Sequence, residues 1–267
     1  DGWALAEAAQ RCRRTEGSAL HQRSPLVWLE FDDAGKAGQL SSPGVCICLE
    51  PSYLDRTRYL EPATGCEEMA AAATALAGLD GDATEAVLRC IRSLPGGGRA
   101  IHLSFMKGRT PATTKLYVRL PVAAATGYLR TIGWSGDFAE VADLFDWRRR
   151  FDSAVHLDVS IEGATVLPRL GVAYPRDDGE PFHLGIFEGL ARRALTPGTA
   201  ARAKRAAMSW TATQPCLTIG DGWPNVVHRW IDQKIVFDEG TRELKLYLAV
   251  RPVPALFGAM ATAGGRG

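Results

Sequence analysis

Apolar and polar positions alternate in pairs of short segments joined by turn residues, and this paired pattern occurs four times along the chain. Alternation with a period of two is typical of a strand that buries one face. Gly, Pro or Ser residues between two such segments indicate a hairpin. The pattern therefore predicts four antiparallel hairpins, near residues 26–50, 100–120, 155–173 and 234–250.

Segments with helical periodicity separate these hairpins. Ala-rich or amphipathic sequence predicts helices over residues 67–79, 83–94, 138–150 and 184–208. Because helices alternate with strand pairs, we expect an α+β fold in which antiparallel hairpins carry helices on one face, rather than parallel βαβ units.

The two faces of the predicted strands differ in chemistry. One face is aliphatic or aromatic and would pack under the helices: Leu29, Phe31, Leu103, Phe105, Leu116, Val118, Leu120, Leu157, Val159, Leu244, Leu246 and Leu248. The other face is polar or ionisable: Trp28, Glu30, Asp32, His102, Ser104, Met106, Lys115, Tyr117, Arg119, His156, Asp158, Ser160, Arg169, Lys245 and Tyr247. Eight strands tend to curl or close into a barrel, which would make the polar face a chamber. An open sheet with one wet face gives the same pattern, so both arrangements stay open.

Basic residues and tyrosines on the polar face suit a phosphate group. Guanidinium, ammonium and phenol groups donate hydrogen bonds to phosphate oxygens. The candidates are Lys115, Tyr117, Arg119, Arg169, Lys234, Lys245 and Tyr247. The chain contains neither GxxxxGK[ST] nor a GxGxxG that follows a strand, so phosphate would be held by strand side chains and not by a helix N-terminus.

Composition excludes several functional classes. The 31 Lys and Arg residues nearly balance the 30 Asp and Glu residues, so a general attraction to nucleic acid or to an anionic membrane is not expected. We also expect no membrane helix, because no segment of about 20 apolar residues occurs. The first residues have no basic and no apolar region of a signal peptide, so none is expected, and since they lack an initiator Met the sequence is expected to begin inside a longer chain. Six cysteines without CxxC or zinc-ligand spacing predict reduced thiols and a cytoplasmic location.

Two Lys-x-Tyr strands carry a resemblance to a known family. Lys115-Leu116-Tyr117 and Lys245-Leu246-Tyr247 stand on the second strands of matching hairpins. With these strands and its helix–hairpin order, the chain resembles the ABBA, or PT-barrel, prenyltransferases, whose αββα repeats form an antiparallel barrel with helices outside. The layout of residues 101–120 and 155–172 is similar to the bacterial enzymes that prenylate ribosomally made peptides, as in cyanobactin pathways. The family has five repeats and four are recognisable here. A fifth hairpin is therefore expected within residues 181–219, near Cys216 to Ile219, or else the barrel is open or shortened.

The resemblance implies a function and assigns residues to it. It implies one domain over residues 1–267 that transfers a dimethylallyl, geranyl or longer group from a prenyl diphosphate to a side chain of a ribosomally made peptide. Glu30 would deprotonate the acceptor, and the seven phosphate candidates named above would bind the diphosphate. The prenyl and acceptor pocket would be lined by Trp28, His102, Met106, His156, Asp158 and Gly171. Mg²⁺ is possible at His156 and Asp158, although no dedicated metal site is assigned, and a monomer is expected.

Other interpretations compete with these assignments. Glu30 could instead be a structural carboxylate that pairs with a nearby Lys or Arg. The chain could prenylate a small aromatic molecule, or bind a ligand without catalysis, in which case its basic residues would be dispersed. It could also present the region of Trp223, Pro224 and Trp230 to a partner protein. No GxSxG motif supports hydrolase chemistry.

Overall fold

A computed structural model describes residues 1–21, 23–24, 27–30, 42–50, 65–107, 112–175, 182–212, 217–220 and 223–254. Within these residues the chain forms seven α-helices and nine strands. It divides into two compact units, and each is described by itself. The first comprises residues 1–172 and 237–239, and the second comprises 173–236 and 240–267.

Six strands of the first unit follow one another in chain order across an antiparallel sheet. The helices and strands that begin in this unit are α1 (Gly2–Arg14), β1 (Val27–Glu30), β2 (Gly44–Cys48), α2 (Cys66–Leu76), α3 (Gly81–Arg92), β3 (Arg99–Met106), β4 (Thr113–Pro121), α4 (Ala125–Thr131), α5 (Phe138–Arg148), β5 (Ala154–Glu162) and β6 (Thr165–Tyr174). A short 3₁₀ turn, Val122–Ala124, precedes α4.

Two helices and three strands follow. They are α6 (Leu184–Ala194), α7 (Pro197–Ala212), β7 (Leu217–Gly220), β8 (Trp223–Asp238) and β9 (Thr241–Pro254). The short strand β7 pairs antiparallel with the beginning of β8, and β9 also pairs with β8.

The aliphatic face of the first unit is the core. Leu103 lies opposite Leu116, which lies opposite Val159, and all three side chains are fully buried. Helices α1 to α3 contact strands of this sheet. Each fully buried side chain of this kind contributes about 1.5–3 kcal/mol through removal of apolar surface from water. Burial of one face fixes the register, since a slip by one residue would turn every aliphatic side chain to the opposite face.

The predicted α+β class and all four predicted hairpins are confirmed. Two turns match their sequence signals. Gly163 has φ +51° between β5 and β6, while Glu239 and Gly240 have φ +43° and +81° between β8 and β9. Positive φ at both central residues is the geometry that matches the twist of a two-residue hairpin.

Other sequence predictions differ from the structure. The single helix predicted over residues 184–208 is two helices, because Leu195 is extended (φ −128°, ψ 151°) and Pro197 begins a new helix. Helices α1 and α4 were not predicted. Near the expected fifth hairpin, β7 pairs antiparallel with the beginning of β8, and that long strand also pairs with β9 instead of belonging to this pair alone. Repeated αββα units and a closed barrel therefore stay predictions, and Phe31, Asp32 and Cys216 lie outside the described residues.

Candidate functional site

The register of the first unit brings the polar positions of neighbouring strands side by side. One row across the sheet runs from Trp28 through Cys46, Ser104 and Lys115 to Ser160. The next row runs from Cys48 through His102 and Tyr117 to Asp158. Residues directly opposite in an antiparallel sheet share a face, with Cα atoms about 4.5–5.5 Å apart. The odd–even assignment made from sequence is therefore confirmed for these positions.

Lys115 forms the centre of an ionic cluster on this face. Its Nζ atom lies 3.5 Å from Oε1 of Glu30 and 4.0 Å from Oδ2 of Asp158. Only 7% of the lysine side chain is exposed. An ammonium group so deeply buried needs paired charges to offset its lost hydration. We call Glu30, Lys115 and Asp158 the acidic end of the site.

Small residues allow this cluster to form across several strands. β1 and β4 are separated by β2 and β3, where Gly44, Cys46 and Ser104 carry little or no side chain. The Ser104 hydroxyl donates a hydrogen bond to Sγ of Cys46 at 2.9 Å. Met106 lies against Gly44 so closely that a Cβ atom there would come within 2.5 Å of the methionine methyl carbon. Long side chains from β1, β3 and β4 therefore have room above β2.

Four rings extend across the same face, and we call them the aromatic row. Trp28 meets His102 edge-on, with ring centroids 4.6 Å apart. His102 stacks on Tyr117 at 4.4 Å, and Tyr117 meets His156 at 5.5 Å with a tilt of 41°. Because neighbouring rings contact one another, together they form a continuous aromatic surface on this face.

Two arginines lie opposite each other beyond the aromatic row. The pairing of β3 with β4 shifts between Ala100 and His102, and this β-bulge places Arg99 opposite Arg119. Glu50, which is 2% exposed, approaches Arg99 with 3.4 Å between the carboxylate oxygen and the guanidinium nitrogen. We call Arg99, Arg119 and Glu50 the basic end. Strict alternation would assign Arg99 to the aliphatic face with Leu103. The sequence analysis therefore does not include Arg99 among the phosphate ligands, because no motif marks the bulge that turns it to the polar face.

The remaining predicted diphosphate ligands have partners of their own. Arg169 on β6 forms an ion pair with Asp238 and is one-third exposed. In the second unit, the Nζ atom of Lys234 lies 5.3 Å from the ring centroid of Tyr247. Lys245, in the same unit, lies 3.5 Å from the Glu243 carboxylate.

Two further predictions concern the pocket residue on β6 and the region proposed to contact a partner protein. Gly171 is buried in β6. Of the region proposed for a partner protein, Trp230 is half-buried and its carbonyl accepts a hydrogen bond from the Trp210 indole at 3.2 Å. The side chains of Trp223 and Pro224 lie outside the described residues.

The cysteines that the structure describes are free thiols. Burial raises the pKa of Cys46 and Cys48 to about 12, so both stay protonated at neutral pH. This fits the interpretation of the pair as packing residues, because metal ligation and redox chemistry both need the thiolate. Within the described ranges, no group of three or more His, Cys, Asp or Glu residues is placed to hold a metal ion.

Comparison with known proteins assigns no family. No protein-family model matches the chain, and neither a curated protein nor a solved structure matches it. None of the helices in the described part of the chain is long and apolar enough to cross a membrane.

Proposed function

We propose that this chain transfers an isoprenoid group from a prenyl diphosphate to a side chain of a ribosomally made peptide, on the polar face of β1 to β5. One observation carries the proposal: a row of four rings lies between an acidic and a basic end on one sheet face. Prenyl transfer needs these three environments. The leaving diphosphate needs cations, the allylic cation needs a shield from water, and the acceptor needs a group that takes its proton.

The diphosphate is best accommodated at the basic end. Beside Lys115 it would meet two carboxylates, whereas beside Arg99 and Arg119 it meets two guanidinium groups and one carboxylate. Guanidinium groups bind phosphate oxygens in bidentate fashion, which makes them strong ligands. Lys115 was assigned to the diphosphate from sequence, and we propose instead that it positions Glu30 and Asp158.

The spacing along β4 suits a donor that lies along the strand. Arg119, Tyr117 and Lys115 follow at every second residue, so Arg119 and Lys115 are about 13 Å apart at 3.3 Å per residue. A diphosphate at Arg119 would thus place its first isoprenoid carbons near Tyr117. The acceptor would approach from Glu30.

The chemical step can be written with these residues. The bond between C1 of the isoprenoid and the diphosphate oxygen breaks, and its electron pair leaves with the diphosphate, whose growing charge the arginines stabilise. The allylic cation lies beside the aromatic row at Tyr117 and His102, which shields it from water. C1 then bonds to the acceptor atom, and the acceptor's proton passes to the Glu30 carboxylate.

The proposal is tested by incubating the chain with dimethylallyl, geranyl or farnesyl diphosphate and a panel of peptides that differ in their Trp, Tyr, His, Arg, Ser and Thr content. Mass spectrometry of the peptides is the measurement. We expect one donor to add the mass of its isoprenoid group to one class of side chain. Absence of any mass gain with all donors and peptides would overturn the proposal.

A ligand-binding domain without catalysis is the second candidate. The observation in its favour is the pairing of Glu30 with Lys115, because a purely structural carboxylate is held in the same way. This candidate predicts that prenyl diphosphate binds but is never consumed, which the same incubations reveal as unchanged donor.

A further inference from the structure

Helices α6 and α7 of the second unit pack against each other and leave a groove of about 400 Å³ between them. The groove is lined on both sides by apolar residues, which are Phe187, Ala191, Leu195, Pro197, Ala200 and Ala201. The two helices result from the break at Leu195, which divides one predicted helix into two neighbours that contact each other. α7 has 16 residues and is therefore about 24 Å long, enough to contact roughly four turns of another helix.

Positive charge is concentrated around this groove. Residues 184–212 contain five Lys or Arg and one Glu, whereas the whole chain has a net charge of only +1. The single acid, Glu188, is paired with Lys204 at 2.8 Å. Arg192 lines the groove and is exposed, and Arg205 is exposed one turn after Ala201. Arg192 also acts on Glu188, whose pKa is lowered first by Lys204 and then by this arginine, while no carboxylate in the described part of the chain pairs with Arg205.

The apolar surface continues beyond the groove. Met208 stands four residues after Lys204, so it lies on the same side of α7, and it is 49% exposed. An apolar floor with a cationic rim is complementary to a segment that has an apolar stripe between acidic residues.

We propose that the α6–α7 groove docks an acidic, amphipathic helical peptide segment. Apolar side chains at every third and fourth position would fill the floor, and flanking carboxylates would meet Arg192 and Arg205. An RNA strand is disfavoured as the occupant because phosphate gains nothing from the apolar floor. We assign this segment to a distal part of the peptide that the chain modifies. This assignment rests on the proposed function, whereas the docking itself does not.

The test uses a fluorescein-labelled peptide of about 14 residues, or roughly four helical turns, with Leu at helical spacing and Glu elsewhere. Fluorescence anisotropy with the full chain measures its dissociation constant. Three comparison probes are a peptide with Lys in place of Glu, a peptide of the same composition with the Leu residues dispersed round the helix, and a single-stranded RNA of similar charge. We expect micromolar binding of the first peptide and at least about tenfold weaker binding of the others.

Two variants locate the binding to the groove. Ala201→Trp fills the floor without a change of charge, and Arg192→Glu with Arg205→Glu reverses the rim. The charge-matched control is Arg149→Glu with Arg150→Glu at the exposed end of α5. Circular dichroism verifies that each variant is folded. We expect at least about tenfold weaker binding for both groove variants, about 1.4 kcal/mol, and unchanged binding for the control.

Several results would overturn the proposal. They are no saturable binding of the amphipathic peptide, equal binding by Ala201→Trp, equal binding of the dispersed-Leu peptide, or preference for RNA. A separate readout distinguishes this failure from failure of the proposed function. Prenylation of a short peptide that lacks an acidic segment does not use the groove, so that activity would persist even if the groove bound nothing.

Discussion

The imidazole of His102 stacks on the phenol ring of Tyr117, with the centroids 4.4 Å apart and only 8° between the planes. The two residues are partners in the register of β3 and β4, immediately after the bulge at residue 101. The stack occupies the middle of the aromatic row, between the ionic cluster at Lys115 and the pair of arginines. In the proposed reaction, the ring of Tyr117 and its hydroxyl group would therefore contribute separately.

Replacement of Tyr117 should separate the two. We expect Tyr117→Phe to keep most of the transfer rate because the ring, which shields the allylic cation from water, is retained. Tyr117→Leu should lower the rate about tenfold and raise the yield of prenyl alcohol, since a less shielded cation is captured by water. The measurement is the ratio of prenyl alcohol to prenylated peptide. Equal product ratios for the two variants would contradict a role for the ring.

Glu30 should be needed for turnover and not for donor binding. We expect Glu30→Gln to lower kcat about 100-fold while the donor Kd stays within about twofold, because the amide cannot accept the acceptor's proton. Steady-state kinetics and calorimetry give the two quantities. Glu68→Gln, at an exposed pair with Arg23 on the same unit, is the matched control and should change neither. An equal loss of turnover and affinity would make Glu30 a structural partner of Lys115.

The two arginines should determine affinity for the diphosphate. Arg119→Ala is expected to weaken binding of inorganic pyrophosphate about tenfold, the effect of one lost charge-assisted contact. Arg99 is tested in a double variant, Arg99→Met with Glu50→Gln. Removal of the arginine alone would leave the buried Glu50 carboxylate charged without its partner, and the glutamine avoids this. Isothermal titration calorimetry is the measurement. Unchanged affinity in both, together with loss in Lys115→Met, would move the diphosphate to the acidic end.

Alkaline pH should destabilise the fold through its buried thiols. Burial raises the pKa of Cys46, Cys48 and Cys66 to about 12 and that of Cys90 to about 11, from an ordinary value of 9.0. Below pH 9 the thiols are neutral in both states and contribute no pH dependence. Above it only the unfolded chain releases the protons, so the free energy of unfolding falls by about 1.4 kcal/mol per pH unit for each thiol until the folded pKa is reached.

Urea unfolding at several pH values above 9 measures this slope. Cys46→Ala removes one of these buried thiols and should make the fall in the free energy of unfolding shallower by about 1.4 kcal/mol per pH unit. The same slope in wild type and Cys46→Ala would contradict the assignment.

Sequence alone predicts the parts of this molecule that follow from local periodicity. Alternation identifies which side chains of β3, β4 and β5 share a face, and the Glu-Gly turn signals locate two hairpins. The position of Arg99 on the polar face cannot be predicted from periodicity. One extra residue at the bulge reverses the alternation, and no local sequence signal marks the bulge. The pairing of Glu30 with Lys115 also needs the structure, since it depends on strand order and on small side chains between β1 and β4.

The most direct test of prenyl transfer is the stoichiometry of one reaction, with pyrophosphate released and peptide modified measured in the same sample. We expect one pyrophosphate for each prenylated peptide with wild type, and loss of both with Arg119→Ala combined with Glu30→Gln. Donor that binds to wild type but releases no pyrophosphate in the presence of any peptide would contradict prenyl transfer.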